Sequence, residues 1–91
     1  MREKVEIAVL VRQKLATALG RPINEGEEIK QIDEPLWDSV KHLEFMLMLE
    51  ETFGITLEPE DFAVMTDVQI CTDRVMVRLE GQSGQDLIHR N

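Results

Sequence analysis

Asp38 and Ser39 stand directly ahead of a helix-like apolar run, residues 40–53, that Gly54 closes. A serine hydroxyl at a helix start lies beside backbone N–H groups with no intrahelical partner, at the positive end of the helix dipole. A phosphate attached to such a hydroxyl is stabilised there. The chemistry this position favours is a phosphate attached at Ser39. The competing reading is that Asp38 or Ser39 does no more than cap the helix, as most such residues do.

The helix behind the serine has more apolar residues than one face can bury. At roughly 100° per residue, Phe45, Met46, Leu49 and Phe53 fall on one side and make a core face. Val40, Leu43 and Leu47 fall on another arc, which also holds Ser39, Glu44, Glu50 and Glu51. Either the helix is buried nearly all round, or it offers a partner a narrow apolar strip edged by carboxylates. In so short a chain the second arrangement is favoured.

Other chemistry finds no residues to carry it. There is no Gly-rich phosphate loop, no histidine set beside a nucleophile, and no Asp/Asn ladder with glycine for calcium. His42 and His89 are far apart and Cys71 is the sole cysteine, which excludes a zinc ligand set and an internal disulfide. Carboxylates are plentiful, but nothing pairs two of them at catalytic separation. A small helical domain also leaves little room for a substrate pocket. The inventory points to a protein that is not an enzyme.

The charge is concentrated around the same stretch. Between residues 25 and 61 there are twelve acids against two bases, Lys30 and Lys41, within a net charge of −8. Nucleic acid would be repelled by such a surface, whereas proteins with basic docking patches would be attracted. The plainer alternative is a solvated acidic face that aids solubility. The run at residues 7–11 is interrupted by Arg12 and Lys14, too soon for a membrane span or a signal segment. With a lone cysteine fitting a reducing compartment, the expectation is a soluble, cytoplasmic, monomeric protein.

The elements that must position Ser39 follow from periodicity. The 91 residues suit one domain with its own core. Residues 2–19 read as a first helix, with Val5, Ala8, Val11, Leu15 and Leu19 on its stripe, Ile7, Leu10 and Ala18 widening it, and Gly20 and Pro22 as the stop. Residues 20–38 form a long connection that Ile23, Ile29, Ile32 and Leu36 are spaced to pin, with a weak helical turn at 25–30. The second helix spans 39–53. Pro59 with Glu60 and Asp61 opens a short helix over 59–65. Thr66-Asp67-Val68-Gln69 matches a capping box for a last helix over 67–80, with Val68, Cys71, Val75 and Leu79 inward. Gly81 and Gly84 then predict a flexible tail over 81–91, leaving 1–80 as the domain. The predicted fold is all-α: a small antiparallel bundle of three main helices plus one short helix.

Taken in order, Asp38-Ser39-Val40, Leu43-Glu44, Leu49-Glu50-Glu51, Phe53-Gly54-Ile55, Glu60-Asp61 and Thr66-Asp67-Val68 resemble the acyl carrier protein family. They are similar to its Asp-Ser-Leu signature and to the LEEEFGI, DED and TV pattern after it, without a gap over 38–68. Outside that span only length and pattern agree. The resemblance implies that Ser39 is the attachment point of 4′-phosphopantetheine, delivered from coenzyme A by a phosphopantetheinyl transferase. The thiol of that arm would hold acyl groups as thioesters. Asp38 matches the family acid thought to contact the transferase's magnesium. Val40, Leu43, Glu44, Leu47 and Glu51 match family docking positions, with Glu50, Glu60 and Asp61 adding an acidic rim. The partners implied are acyl, ketoacyl or adenylate-forming enzymes of fatty-acid, polyketide or related biosynthesis.

Departures from the pattern point to a specialised, free-standing carrier. Pro35-Leu36-Trp37 replaces the small residues usual before Asp-Ser, and Val40 replaces leucine. Trp37 has three readings: loop anchor, flank for the arm, or part of a docking site. Lys41 and His42, in the first turn, could pair with the phosphodiester or discriminate among partners, or His42 could simply pack. An aminoacyl or peptidyl carrier, and an unmodified helical interaction module of the same fold, are the alternatives.

Overall fold

The computed structural model describes residues 3–89, with side chains described for residues 3–81. Among these, four α-helices form the chain: α1 (Lys4–Leu19), α2 (Ser39–Phe53), α3 (Pro59–Val64) and α4 (Val68–His89). A 3₁₀ turn, Gln31–Asp33, interrupts the connection between α1 and α2. No strand occurs among the described residues, and one isolated antiparallel bridge joins Lys30 to Asp67. The all-α expectation of three long helices and one short one holds.

Helix α1 packs along both α2 and α4. It buries Ile7, Val11, Leu15, Ala18 and Leu19, spaced by three and four so that they share one side. Val5, expected on this stripe, is exposed. It lies roughly 200° around the axis from Ile7, and Ile7 is the residue in phase with Val11 and Leu15. Gly20 ends the helix in the left-handed conformation (φ 71°) and donates its N–H to the Ala16 carbonyl at 2.9 Å.

Polar ties as much as apolar pins hold the long connection. The Arg21 guanidinium spans Glu27 at 2.9 Å and Glu34 at 3.2 Å. Hydrogen bonding to Arg21, then to the Asn24 N–H, holds the Glu27 carboxyl below the usual carboxylate range. Its contribution is therefore complete above the ordinary glutamate range and is lost as pH falls through the lowered value. The Gln31 N–H reaches the Thr66 carbonyl at 2.8 Å, fastening the loop to the start of α4. Ile29 and Trp37 are buried and Ile23 lies against the core. Ile32 and Leu36, expected as pins, are exposed, Ile32 by 90%. Gln31 points both its N–H and its side chain inward, the latter to the Trp37 carbonyl; Ile32, next in the chain, faces out. No helical turn forms at 25–30; the segment is a turn in which the Glu27 N–H meets the Asn24 carbonyl.

Helix α2 puts Phe45, Met46, Leu49 and Phe53 into the core, as its wheel predicts. Gly54, at φ 65°, closes it with an N–H bond to the Glu50 carbonyl. Ile55 and Leu57 plug the core from the link that follows. Asp67, rather than Thr66, caps α4: its Oδ1 accepts the Ile70 N–H at 2.7 Å, whereas the Thr66 hydroxyl turns to the Val64 carbonyl. Helix α4 runs on through Gly81 and Gly84 to His89, past the end at residue 80 that the glycines predict. A glycine costs a propagating helix only about 1 kcal/mol relative to alanine, and no proline intervenes. Residues 90–91 of the expected tail lie outside the described residues.

This packing separates two leucines of α2 sharply. Leu49→Ala is expected to lower unfolding free energy by about 2–5 kcal/mol. Leu47→Ala, on the outward face, is expected to change it by no more than about 0.5 kcal/mol. Urea denaturation of both variants checks the assignment.

Candidate functional site

The start of α2 is built by Asp38. Its backbone is extended, its Oδ1 accepts the Lys41 N–H at 2.9 Å, and its carbonyl accepts the His42 N–H at 2.9 Å. Asp38 is the N-cap, and its other carboxylate oxygen makes no contact among the described residues. Ser39 is therefore the first helical residue, not the cap. It is exposed, and its hydroxyl has no hydrogen-bond partner among the described residues. The N–H groups of Ser39 and Val40 are likewise unengaged. A free hydroxyl thus stands beside two open N–H donors at a helix N-terminus.

The apolar strip expected beside the serine faces outward. Val40, Leu43 and Leu47 are 63%, 49% and 53% exposed, on the side of α2 away from its buried face. Leu36, just ahead of the turn, adds to the exposed apolar residues there. Glu44 and Glu51 are exposed; Glu44 meets Lys41 at 3.8 Å, a surface contact that contributes little.

Two other acids are used by the fold. Asp61, expected on an acidic docking rim, is fully buried. Its carboxylate takes Arg78 at 2.8 Å, Arg74 at 3.1 Å and the Glu58 N–H at 2.8 Å, so it ties α3 to α4 and cannot meet a partner. The physical reason is that a buried carboxylate is tolerated only when its oxygens are matched by donors, and α4 supplies two arginines a turn apart. Glu50 is half-buried, with one oxygen accepting the Leu57 N–H at 2.8 Å. Glu60 remains exposed, with Arg78 at 3.5 Å.

Trp37 and His42 form a contact that sequence reasoning missed. The indole of Trp37, only 2% exposed, donates its N–H to His42 Nδ1 at 3.0 Å. His42 Nε2 lies 2.7 Å from the Phe62 carbonyl on α3. The Trp37 ring also meets Phe45 edge-on, with centroids 5.6 Å apart. His42 is thus directed inward and does not face the open side of Ser39. The signal was present in the spacing: Trp37 precedes the N-cap and His42 is the fourth helical residue, the two positions of a hydrophobic staple.

A cavity of about 430 Å³ lies elsewhere, between α1, the loop and the start of α4. Three cations (Lys4, Arg12, Lys30) and three acids (Glu27, Glu28, Asp67) line it, and neither Ser39 nor the exposed strip does. Its balanced charge favours neither an anion nor a cation. Among the described residues, no three of His, Cys, Asp and Glu converge at metal-binding distance, and no helix is long and apolar enough to cross a membrane.

No family model, curated protein or solved structure matches the chain.

The two residues of the turn are expected to part company in stability. Asp38→Ala removes a cap and costs about 0.5–2 kcal/mol. Ser39→Ala removes an unbonded hydroxyl and inserts a better helix former, so it is expected to be neutral or stabilising by about 0.5 kcal/mol. Thermal and urea denaturation measure the contrast.

Proposed function

We propose that this protein is a carrier of acyl-type intermediates, modified at Ser39 with 4′-phosphopantetheine by a separate phosphopantetheinyl transferase. One observation carries the reading. Asp38 alone does the capping, so Ser39 has an exposed, unpartnered hydroxyl with no structural duty. In the modification, Ser39 Oγ bonds to the phosphate nearer the pantetheine in coenzyme A. The pyrophosphate bond breaks, the adenosine bisphosphate leaves and the hydroxyl proton is lost. The open N–H groups of Ser39 and Val40 suit the phosphodiester that results. When attached, the arm supplies a thiol that holds acyl groups as thioesters.

The outward strip supports the same reading. Val40, Leu43 and Leu47, with Glu44 and Glu51 along one edge, suit enzymes that present an apolar groove rimmed by lysine and arginine. Acid-to-base attraction speeds such encounters without making them slow to part. Tethering then supplies what free cargo lacks, a high effective concentration at successive active sites. The carrier performs no bond chemistry itself. An aminoacyl or peptidyl cargo fits the same surface, since the partners select what is loaded. A second reading, an unmodified interaction module, uses the strip without Ser39.

Incubation with coenzyme A, magnesium and a broad-specificity transferase, followed by intact mass measurement, tests the proposal. One phosphopantetheinyl group is expected on the wild-type chain and none on Ser39→Ala. No gain, or a gain that survives the substitution, refutes it. A thiol count gives an independent reading. Burial, then the negative charge of Asp67, pushes the Cys71 thiol well above the usual range, so the native chain is expected to show no reactive thiol at pH 8. The loaded chain is expected to show one.

The strip has its own test. Reversing Glu44 and Glu51 to lysine is expected to slow loading by about tenfold or more at low salt. The deficit should shrink as salt is added.

A further inference from the structure

We propose that Trp37, His42 and the Phe62 carbonyl form a proton-operated latch beside Ser39. Neutral His42 accepts the Trp37 indole N–H and so clamps the loop to the first turn of α2; protonated His42 releases Trp37 while its Nε2–H stays on the Phe62 carbonyl. The Trp37 contact itself requires the neutral ring. An indole N–H can only donate, so His42 Nδ1 must present a lone pair to Trp37. A carbonyl can only accept, so Nε2 must carry the hydrogen that faces Phe62. One tautomer satisfies both partners at once. A second proton on Nδ1 sets two N–H groups against each other. The indole donor, sealed from water, then has no acceptor unless Trp37 moves.

The surroundings offer the added charge no carboxylate. On α2, Lys41 is the preceding residue and contacts Glu44. In the loop, the Asp38 carboxylate caps the Lys41 N–H and Glu34 is taken by Arg21. On α3, Asp61 is held by Arg74 and Arg78, and Glu60 by Arg78. No acid among the described residues pairs with His42. The latch is therefore closed while the His42 ring is neutral and open once Nδ1 carries a proton. Its position gives it a consequence. Trp37 is bonded to Asp38, the cap that shapes the Ser39 turn, and Phe62 sits on the helix packed against α2. His42 is thus a positioning residue for Ser39, and this consequence, though not the latch, rests on the carrier reading above.

Trp37 is the sole tryptophan and the chain has no tyrosine, so its emission and its indole N–H resonance report on the latch directly. Between pH 8 and 5.5 the acrylamide quenching constant of the full chain is expected to rise several-fold. The rise should follow the His42 ring protons seen by NMR, and the indole N–H should lose its hydrogen-bonded shift in step. His42→Gln, which can donate and accept but does not titrate, should give a flat response; His89→Gln should behave as wild type. Quenching that stays constant while His42 protonates overturns the latch, as does a His42 ring that takes up no proton above pH 5.5. Both readings come from the wild-type chain and need no variant to fold. For the link to Ser39, the wild-type to His42→Gln ratio of loading rates is expected to fall several-fold from pH 8 to pH 6; a constant ratio overturns that link. Absence of loading in both proteins at both pH values refutes the carrier reading, and the indole titration still decides the latch.

Discussion

The rotation of α2 about its own axis constrains everything around the candidate site. Phe45, Met46 and Leu49 are sealed in the core and Phe53 nearly so, and each would cost kilocalories to expose. With that face fixed, the residues between them have no freedom. Val40, Leu43 and Leu47 must look outward, and Ser39 is exposed because it is the first residue of the helix. The site is therefore a by-product of core packing: nothing on the outward side of α2 is needed to hold the helix in place.

The first turn of α2 is held by a compact set of interactions that keeps this arrangement precise. Asp38 satisfies the Lys41 N–H from the side chain and the His42 N–H from the backbone. Trp37, one residue earlier, inserts its ring against Phe45 and His42. A loop of this length has much entropy to lose, and few of its apolar residues are buried. The Trp37 contacts, the Arg21 bridges and the Gln31 bond to Thr66 do the holding instead. That division of labour explains how Ile32 can stay exposed without loosening the loop.

The acidic stretch separates into two populations with different physics. Glu44, Glu51 and Glu60 are solvated and act at a distance through their field. Asp61 and Glu50 are drawn into the fold, where their oxygens meet donors of the α2–α3 link and, for Asp61, of α4 at 2.8–3.1 Å. In the sequence all five look alike. Burial turns Asp61 from a candidate docking charge into a structural one, because its arginine partners are brought in by α4.

The periodic features were legible in the chain itself. The stops at Gly20 and Gly54, the core face of α2, the proline-opened α3 and the all-α architecture follow from 3.6-residue spacing and local backbone preferences. The outward arc of Val40, Leu43 and Leu47 follows from the same arithmetic. Short-range physics decides these features, and a sequence contains all of it. What only the tertiary structure decided is which polar atoms meet. It chose Asp38 over Ser39 as the cap, turned His42 inward to Trp37 and Phe62, buried Asp61, and left Ile32 and Val5 in water. It also carried α4 past two glycines to His89. Each of these depends on the distance and direction of groups far apart in the chain, or on a balance of about 1 kcal/mol that local preference cannot resolve.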